Sequence, residues 1–371
     1  MYLWIGCTIF VILYTVNLYF LHLRVVNTVK AAKAVKSGTT TPPVTIIHPT
    51  YGSNRFTEDN FNSWLNQDYQ GKRHYIYSFQ RENDPGIEVA EKLQTDCEKT
   101  LICNPVLPGY SGKMSNLAHA FQIAKDEIII MAGRDCYVEK DTISKIITEF
   151  EKGADIVSCL PIHYKFTNLW ARLFSFSWNF YGCCLHLFKL AENQNNDAMG
   201  VCLAVERSVF EKLGGLAAFK DYIAEDVVIG REAGKAGLRI ALGPVVHSPV
   251  DSLSFKDYLD KATRGALIMV FVSPFENFKA SLIATYPLIL IAGLILQNWP
   301  LIILTFLVAR IRVFFAALSN KQFHSQNSFH LHVLLMDLAD FLIFFYTSVT
   351  KTTKWGGITY KVDKTGRMTR V

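Results

Sequence analysis

The sequence predicts an α/β fold: a three-layer domain around a mostly parallel sheet, set between apolar, membrane-spanning ends. Three observations carry this. Short β-branched runs alternate with segments of helical spacing over roughly 200 residues, the pattern of a parallel sheet covered by helices. Half of the 371 residues are hydrophobic, more than one such domain buries. The surplus lies at the two ends of the chain, and residues 2–20 hold no charge.

That first run is long enough to cross a bilayer as a helix. Arg24, Lys30, Lys33 and Lys36 come after it. No basic stretch precedes the run and no small-residue cleavage site succeeds it, so it reads as an anchor rather than a cleaved signal. The trailing cations put the next part of the chain on the cytoplasmic side. Lys36 to Pro43 is a Ser/Gly/Thr/Pro linker. Val44 to His48 is a first strand, Glu58 to Gln67 a helix, and His74 to Phe79 a second strand ending in Gln80-Arg81-Glu82-Asn83-Asp84-Pro85. Ile87 to Asp96 reads as a helix, Thr100 to Cys103 as a third strand and Met114 to Ala124 as a helix. Glu127 to Met131 is a strand that stops at Gly133-Arg134-Asp135, and Thr142 to Lys152 a helix.

Phe166 to Leu190 is rich in aromatics, either an interfacial, acceptor-binding helix or plain core packing. Gly200 to Val205 and Leu238 to Leu242 read as strands, with helices at Val209 to Leu213 and Val227 to Lys235. Leu282 to Leu296 and Leu301 to Val308 flank Gln297-Asn298-Trp299-Pro300 as an apolar hairpin. His332 to Tyr346 is a further apolar segment, carrying Asp337 and Asp340. The expected divisions are a membrane helix at 1–23, a basic juxtamembrane linker at 24–43 and the α/β domain at 44–265. Membrane helices at 266–350 and a basic tail at 351–371 complete them. Three crossings after the domain would put that tail outside, against the positive-inside rule. The last apolar segment is therefore expected to lie in the interface with its aspartates facing protein or water, or a re-entrant piece to exist near Ala266 to Val272; the tail is expected to be cytosolic.

The net charge of +6 gathers beside the apolar segments, where it suits anionic lipid rather than nucleic acid. Eight cysteines show no metal-ligand spacing and read as free thiols. No Asn-x-Ser/Thr sequon occurs.

Candidate chemistry runs in order along the domain: Asp84, Gly112-Lys113 to Asn116, Asp135, Glu225-Asp226, and Lys261-x-x-Arg264. Ligands bind beyond the carboxyl ends of the strands in such sheets, where Asp84 and Asp135 fall. Each residue also has a plainer reading. Asp84-Pro85 starts a turn, Asp135 caps one, Glu225-Asp226 caps a helix, and Arg264 snorkels at a membrane surface. Lys113 belongs to no P-loop, since the GxxxxGK[ST] spacing is absent, and His247 reads as a packed loop histidine. The case rests on all of them falling in order within one domain.

In this order the residues resemble the membrane-bound, GT-A-type family 2 and 21 glycosyltransferases. The ceramide glucosyltransferase group is the most similar, with bacterial hopanoid glycosyltransferases beside it. The family pattern is an aspartate in each of three motifs followed by (Q/R)xxRW. Gly214-Gly215-Leu216 to Asp226 carries the most specific likeness, and Trp355-Gly356-Gly357 to Gly366-Arg367 resembles the family's ending. The resemblance implies a GT-A domain that moves glucose from UDP-glucose onto a ceramide hydroxyl with inversion. Asp84 would contact the uridine, and Asp135 would hold Mg2+ or Mn2+ on the pyrophosphate. Asp226 would be the general base, with Lys113, Asn116, Glu225, Lys261 and Arg264 around the substrates. It implies a multi-pass protein with a cytosol-facing site, in a Golgi membrane if eukaryotic and an inner membrane if bacterial.

Two positions depart from the pattern. Gly133 stands where the second motif begins with an aspartate, so one carboxylate of a pair is missing. Lys261-Ala262-Thr263-Arg264-Gly265 replaces the family's Gln/Arg by lysine and its tryptophan by glycine. Arg134 is then a candidate to supply charge that a metal would otherwise provide. The alternatives are another UDP-sugar such as UDP-GlcNAc with a hopanoid, diacylglycerol or polyprenyl acceptor, or a non-catalytic relative that only binds nucleotide sugar. A processive synthase would need more helices and that tryptophan. A transporter would need more helices as well.

Overall fold

The computed structural model of the chain describes residues 2–272, 286–323, 332–355 and 358–371. Two expected features therefore fall partly outside the described residues: the start of the apolar hairpin (282–285) and Gly356-Gly357.

Seven strands form the central sheet: β1 Val44–Pro49, β2 Arg73–Phe79, β3 Glu98–Cys103, β4 Ile128–Ala132, β5 Ile156–Tyr164, β6 Cys202–Glu206 and β7 Ile240–Pro249. Their order is β3-β2-β1-β4-β6-β5-β7. Only β6 runs against the others, antiparallel to both β4 and β5. Successive residues face opposite sides, and both sides are covered, as a mostly parallel sheet requires. Ile46, Tyr75, Tyr77 and Ile130 meet one core; Ile47, Ile76, Ile129 and Met131 meet the other.

The helices begin where the sequence supplies caps. The Asp84 carboxylate accepts from Gly86 N ahead of α3 (Pro85–Lys92), with Pro85 in the first turn. Ser111 caps α4 (Gly112–Ile123) and Asn168 caps α6 (Leu169–Ser177). Helices α2 (Thr57–Leu65) and α5 (Thr142–Glu151) lie on the other face of the sheet from α4. After α6 a π-helical turn at Trp178–Cys183 leads into α7 (Cys184–Ala191), and α8 (Arg207–Lys212) and α9 (Glu225–Lys235) flank the last crossover.

Several expectations change. Helix α1 (Tyr2–Lys33) continues through the first ten residues read as linker, because Val25, Val29 and Ala32 are buried. Strand β5 has no counterpart in the sequence reading, since Pro161 and His163 interrupt its apolar run. Proline is tolerated there because β6 pairs only with Ile156–Ser158, leaving that side of Pro161 without a ladder. The segments read as Leu238 to Leu242 and Gly243 to Val246 are one strand, β7.

Among the described residues, two helices, α1 and the stretch from Trp299 to Phe323, are long and apolar enough to cross a membrane. That stretch is mainly α12 (Trp299–Asn320); α11 (Tyr286–Ile295) precedes it as the other arm of a hairpin. Helix α12 runs beside α1, with His22 Nδ1 2.9 Å from Ser319 Oγ and Lys33 Nζ donating to the Gln322 carbonyl. Helices α10 (Phe255–Val272) and α13 (His332–Thr350) pack together. The two α13 aspartates have protein partners: Arg312 holds Asp337 through two bonds of 2.7 and 2.9 Å, and the Ser177 hydroxyl donates to Asp340.

The stretch read as a basic tail is a small antiparallel sheet, β8 Thr352–Trp355, β9 Ile358–Val362 and β10 Met368–Arg370. Its alternation of Thr, Tyr and Val with lysine is a strand pattern; Val362 and Met368 pack on Ile223, Ala224, Val227 and Leu267. Backbone bonds fasten it to the domain: Ile223 N to Gly366 O and Met368 N to Asp221 O. Arg367 adds an ion pair to Asp221 at 2.5 Å and lies over the Tyr222 ring.

Candidate active site

Because β6 alone is reversed, its leading residues share a rim with the carboxyl ends of the other six strands. Gly133 N donates to Val201 O across that rim, just past β4. Residues far apart in sequence thereby meet: Gly133 to Asp135 after β4, Asp197 to Gly200 before β6, and Glu225-Asp226 at the start of α9.

Asp226 sits in the first turn of α9, where unpaired amides favour a carboxylate. Its Oδ1 accepts from Val227 N at 2.9 Å and its Oδ2 from Gly200 N at 2.5 Å. Burial nevertheless pushes its pKa above the usual aspartate value, helped by the Glu225 charge; Lys113 and the two amides pull the other way. An acid held this way gives up its proton later than a free one.

Lys113 links the site to α4. Its Nζ lies 2.6 Å from Glu225 Oε1 and donates to Gly200 O at 3.0 Å. Burial works against this ammonium, but Glu225, Asp226 and Asp135 outweigh it and hold its pKa above the ordinary lysine value. Lys261 and Arg264 come from α10, one turn apart. Burial and then the Arg264 charge lower Lys261; Lys261 Nζ also lies over the Phe174 ring. Burial lowers Arg264 too, opposed by Glu225, Asp135 and Asp226. The structure thus brings together Lys113, Asp135, Glu225, Asp226, Lys261 and Arg264.

Asp135 is exposed at this cluster. A Cβ at Gly133 would sit 2.7 Å from Asp135 Oδ1, so the aspartate leans into the space a side chain there would need. Arg134 beside it leaves Nη1 buried with no hydrogen-bond partner. Among the described residues, no three His, Cys, Asp or Glu side chains converge as a metal cage. One carboxylate fits a divalent ion of the Mg2+ type, which takes most of its shell from substrate phosphates and water.

Asp84 and Asn116 form a different group, buried among backbone at the ends of β1 and β2. Both Asp84 oxygens accept from Gly52 N, at 2.9 and 2.8 Å, in addition to the cap on α3. Asn116 Nδ2 donates to Thr50 O and Ser78 O. These bonds shape the loop after β1, where Tyr51 stands exposed with Arg81 over its ring. Tyr51 was not a sequence candidate; an aromatic directly after a first strand was the available signal.

From Asp226 a cleft of about 1140 Å³, including its open mouth, runs between α6, α10 and α13. Phe174, Trp178, Tyr258, Phe341 and Phe344 wall it, and Gly265 lines it where a Cβ would meet nothing within 4 Å. The glycine that replaces the family's tryptophan leaves this part of the cleft open. His186 also lines it, a residue that sequence reasoning missed inside the aromatic stretch.

The chain is similar to known glycosyltransferases. The chain is 24% identical to ceramide glucosyltransferase 3 of Caenorhabditis elegans over 307 residues, 77% of this chain and 65% of that protein. It is 21% identical to ceramide glucosyltransferase 1 of the same organism, over 64% of this chain and 51% of that one. The matches thus span between half and two thirds of these relatives' length. Among solved structures, a mannosyltransferase from Pyrobaculum calidifontis in complex with GDP-Man and Mn2+ superposes with a TM-score of 0.56. That pair is 20% identical and covers 94% of this chain and 99% of the other, a likeness of fold. The sequence profile of glycosyl transferase family 21 matches residues 3–368, so essentially the whole chain belongs to that family.

Proposed function

We propose that this protein is an inverting glycosyltransferase that moves glucose from UDP-glucose onto the hydroxyl of a membrane lipid, ceramide, giving a β-glycosyl lipid. The observation that carries the reading is Asp226 in the lining of an aromatic cleft formed by α6, α10 and α13. A lipid presents a hydroxyl at the end of a long apolar body, which suits such a cleft.

In this reading the acceptor hydroxyl gives its proton to Asp226 as its oxygen attacks the anomeric carbon. The bond from that carbon to the diphosphate breaks on the opposite face, and UDP leaves with the electron pair. Lys113, Lys261 and Arg264 stabilise the charge that develops on the diphosphate, and the Arg134 Nη1 donor is left for the same group. Asp135 would hold a divalent ion, which would neutralise diphosphate charge. Asp84 and Asn116 shape the loop that would receive the uridine. The cations after the first apolar run support a cytosol-facing site.

The test is UDP release from UDP-glucose by purified protein in lipid nanodiscs, with and without ceramide, beside Asp226→Asn. Release that depends on ceramide and falls at least about 10²-fold in the variant supports the enzyme, the base and the acceptor together. UDP binding without turnover on ceramide or any of a panel of lipids and UDP-sugars overturns it in favour of a binding-only relative. An EDTA arm divides the diphosphate charge: retained UDP affinity assigns it to the cations, lost affinity to an ion at Asp135.

A further inference from the structure

His186 lies in the cleft beside the base but has no part in the mechanism above. It is 4% exposed, and its Nδ1 is 3.0 Å from Asp197 Oδ2, a residue only 3% exposed. A carboxylate only accepts, so Nδ1 carries the proton and Nε2 is the ring atom left for the cleft. The other Asp197 oxygen accepts from Ala198 N at 3.0 Å, which fixes the carboxylate and through it the ring.

The pair is also registered to the base. Three residues beyond Asp197, Gly200 N donates to Asp226 Oδ2. Gly230, one turn beyond Asp226 in α9, packs on this segment so closely that a Cβ would lie 2.6 Å from the Asp197 carbonyl carbon. One short stretch of backbone therefore holds an imidazole and a carboxylate at fixed positions on the same cleft. Burial works against a charged imidazole, while Asp197 and, further off, Asp226 raise its pKa.

We propose that the His186–Asp197 pair contacts the acceptor's polar head: Asp226 receives the reacting hydroxyl, and His186 Nε2 hydrogen-bonds to a second hydroxyl of the same lipid. Asp197 is the positioning residue of the pair. The acceptor is thereby a lipid with two polar oxygens near its head, not a simple long-chain alcohol. This rests on the lipid-acceptor reading given above.

The experiment measures glucosyl transfer to ceramide in phosphatidylcholine nanodiscs for wild type, His186→Ala, His186→Gln and Asp197→Asn. It also measures UDP affinity and the slow release of UDP without acceptor. His186→Ala is expected to raise the KM for ceramide about tenfold, the loss of one hydrogen bond. Its UDP affinity and acceptor-free release are expected to stay within about twofold. His186→Gln, which keeps a donor, and Asp197→Asn, which keeps an acceptor for Nδ1, are expected to fall between. An unchanged ceramide KM in His186→Ala overturns the proposal. So does a parallel loss of UDP affinity, which would mark a general structural role. A wild type that turns over no ceramide removes the acceptor reading and this contact with it. Turnover with an unchanged KM removes the contact alone.

Discussion

At the scale of single residues, the site is a contest between burial and charge around Asp226. Burial and Glu225 raise its pKa, and Lys113 is the side chain that opposes them. A general base works only when deprotonated, so activity should rise with pH through a value above the ordinary aspartate one. Removing the ammonium removes an influence that lowers this pKa, so the proton is held to higher pH. Lys113→Gln is therefore expected to shift the acid limb of kcat/KM upward. The check is a pH–rate profile beside wild type; an unmoved or lowered limb contradicts the arrangement. Asp84, Lys113, Asp135, Glu225 and Asp226 were legible from sequence because each carries charge near a strand end or helix start. His186 and Asp197 were not: eleven residues apart, they are joined by the rest of α7 and an Asn-rich loop whose path the sequence does not show.

At the scale of elements, glycines show which helices are pressed against the site and which stand clear. Gly230 in α9 and Gly265 in α10 are both helical, and the same substitution should act oppositely. Alanine at Gly230 would drive a Cβ to 2.6–2.7 Å from the Asp197 and Ala198 backbone. A clash of that kind costs of order 1–3 kcal/mol. Alanine at Gly265 meets nothing within 4 Å and should stabilise by roughly 0.5–1 kcal/mol through helix propensity. Thermal unfolding of Gly230→Ala and Gly265→Ala checks both signs at once. Most strands were legible as β-branched runs ending in turn residues. Strand β5 was hidden by Pro161 and His163, and the β8–β10 sheet by lysines that counted as charge rather than as the solvent face of strands.

At the scale of the whole molecule, membrane topology is set by which parts touch. The β10 turn is hydrogen-bonded to the loop before Asp226, so residues 352–370 and the α/β domain lie on one side of any bilayer. Any crossings made by the apolar segments between them would then be even in number. Helix α13 lies along α10, with its aspartates turned to Arg312 and Ser177. Lys140→Cys and Thr365→Cys, each with Cys103→Ser, should react with an impermeant maleimide from the same face of sealed vesicles. Labelling from opposite faces would refute this packing.

The loop from Asp221 to Ala224 owes part of its shape to Gly366, Arg367 and Met368. Translation delivers those residues only after every apolar helix has left the ribosome. The loop beside Asp226 thus reaches its final form only after the apolar helices that precede those residues have been made.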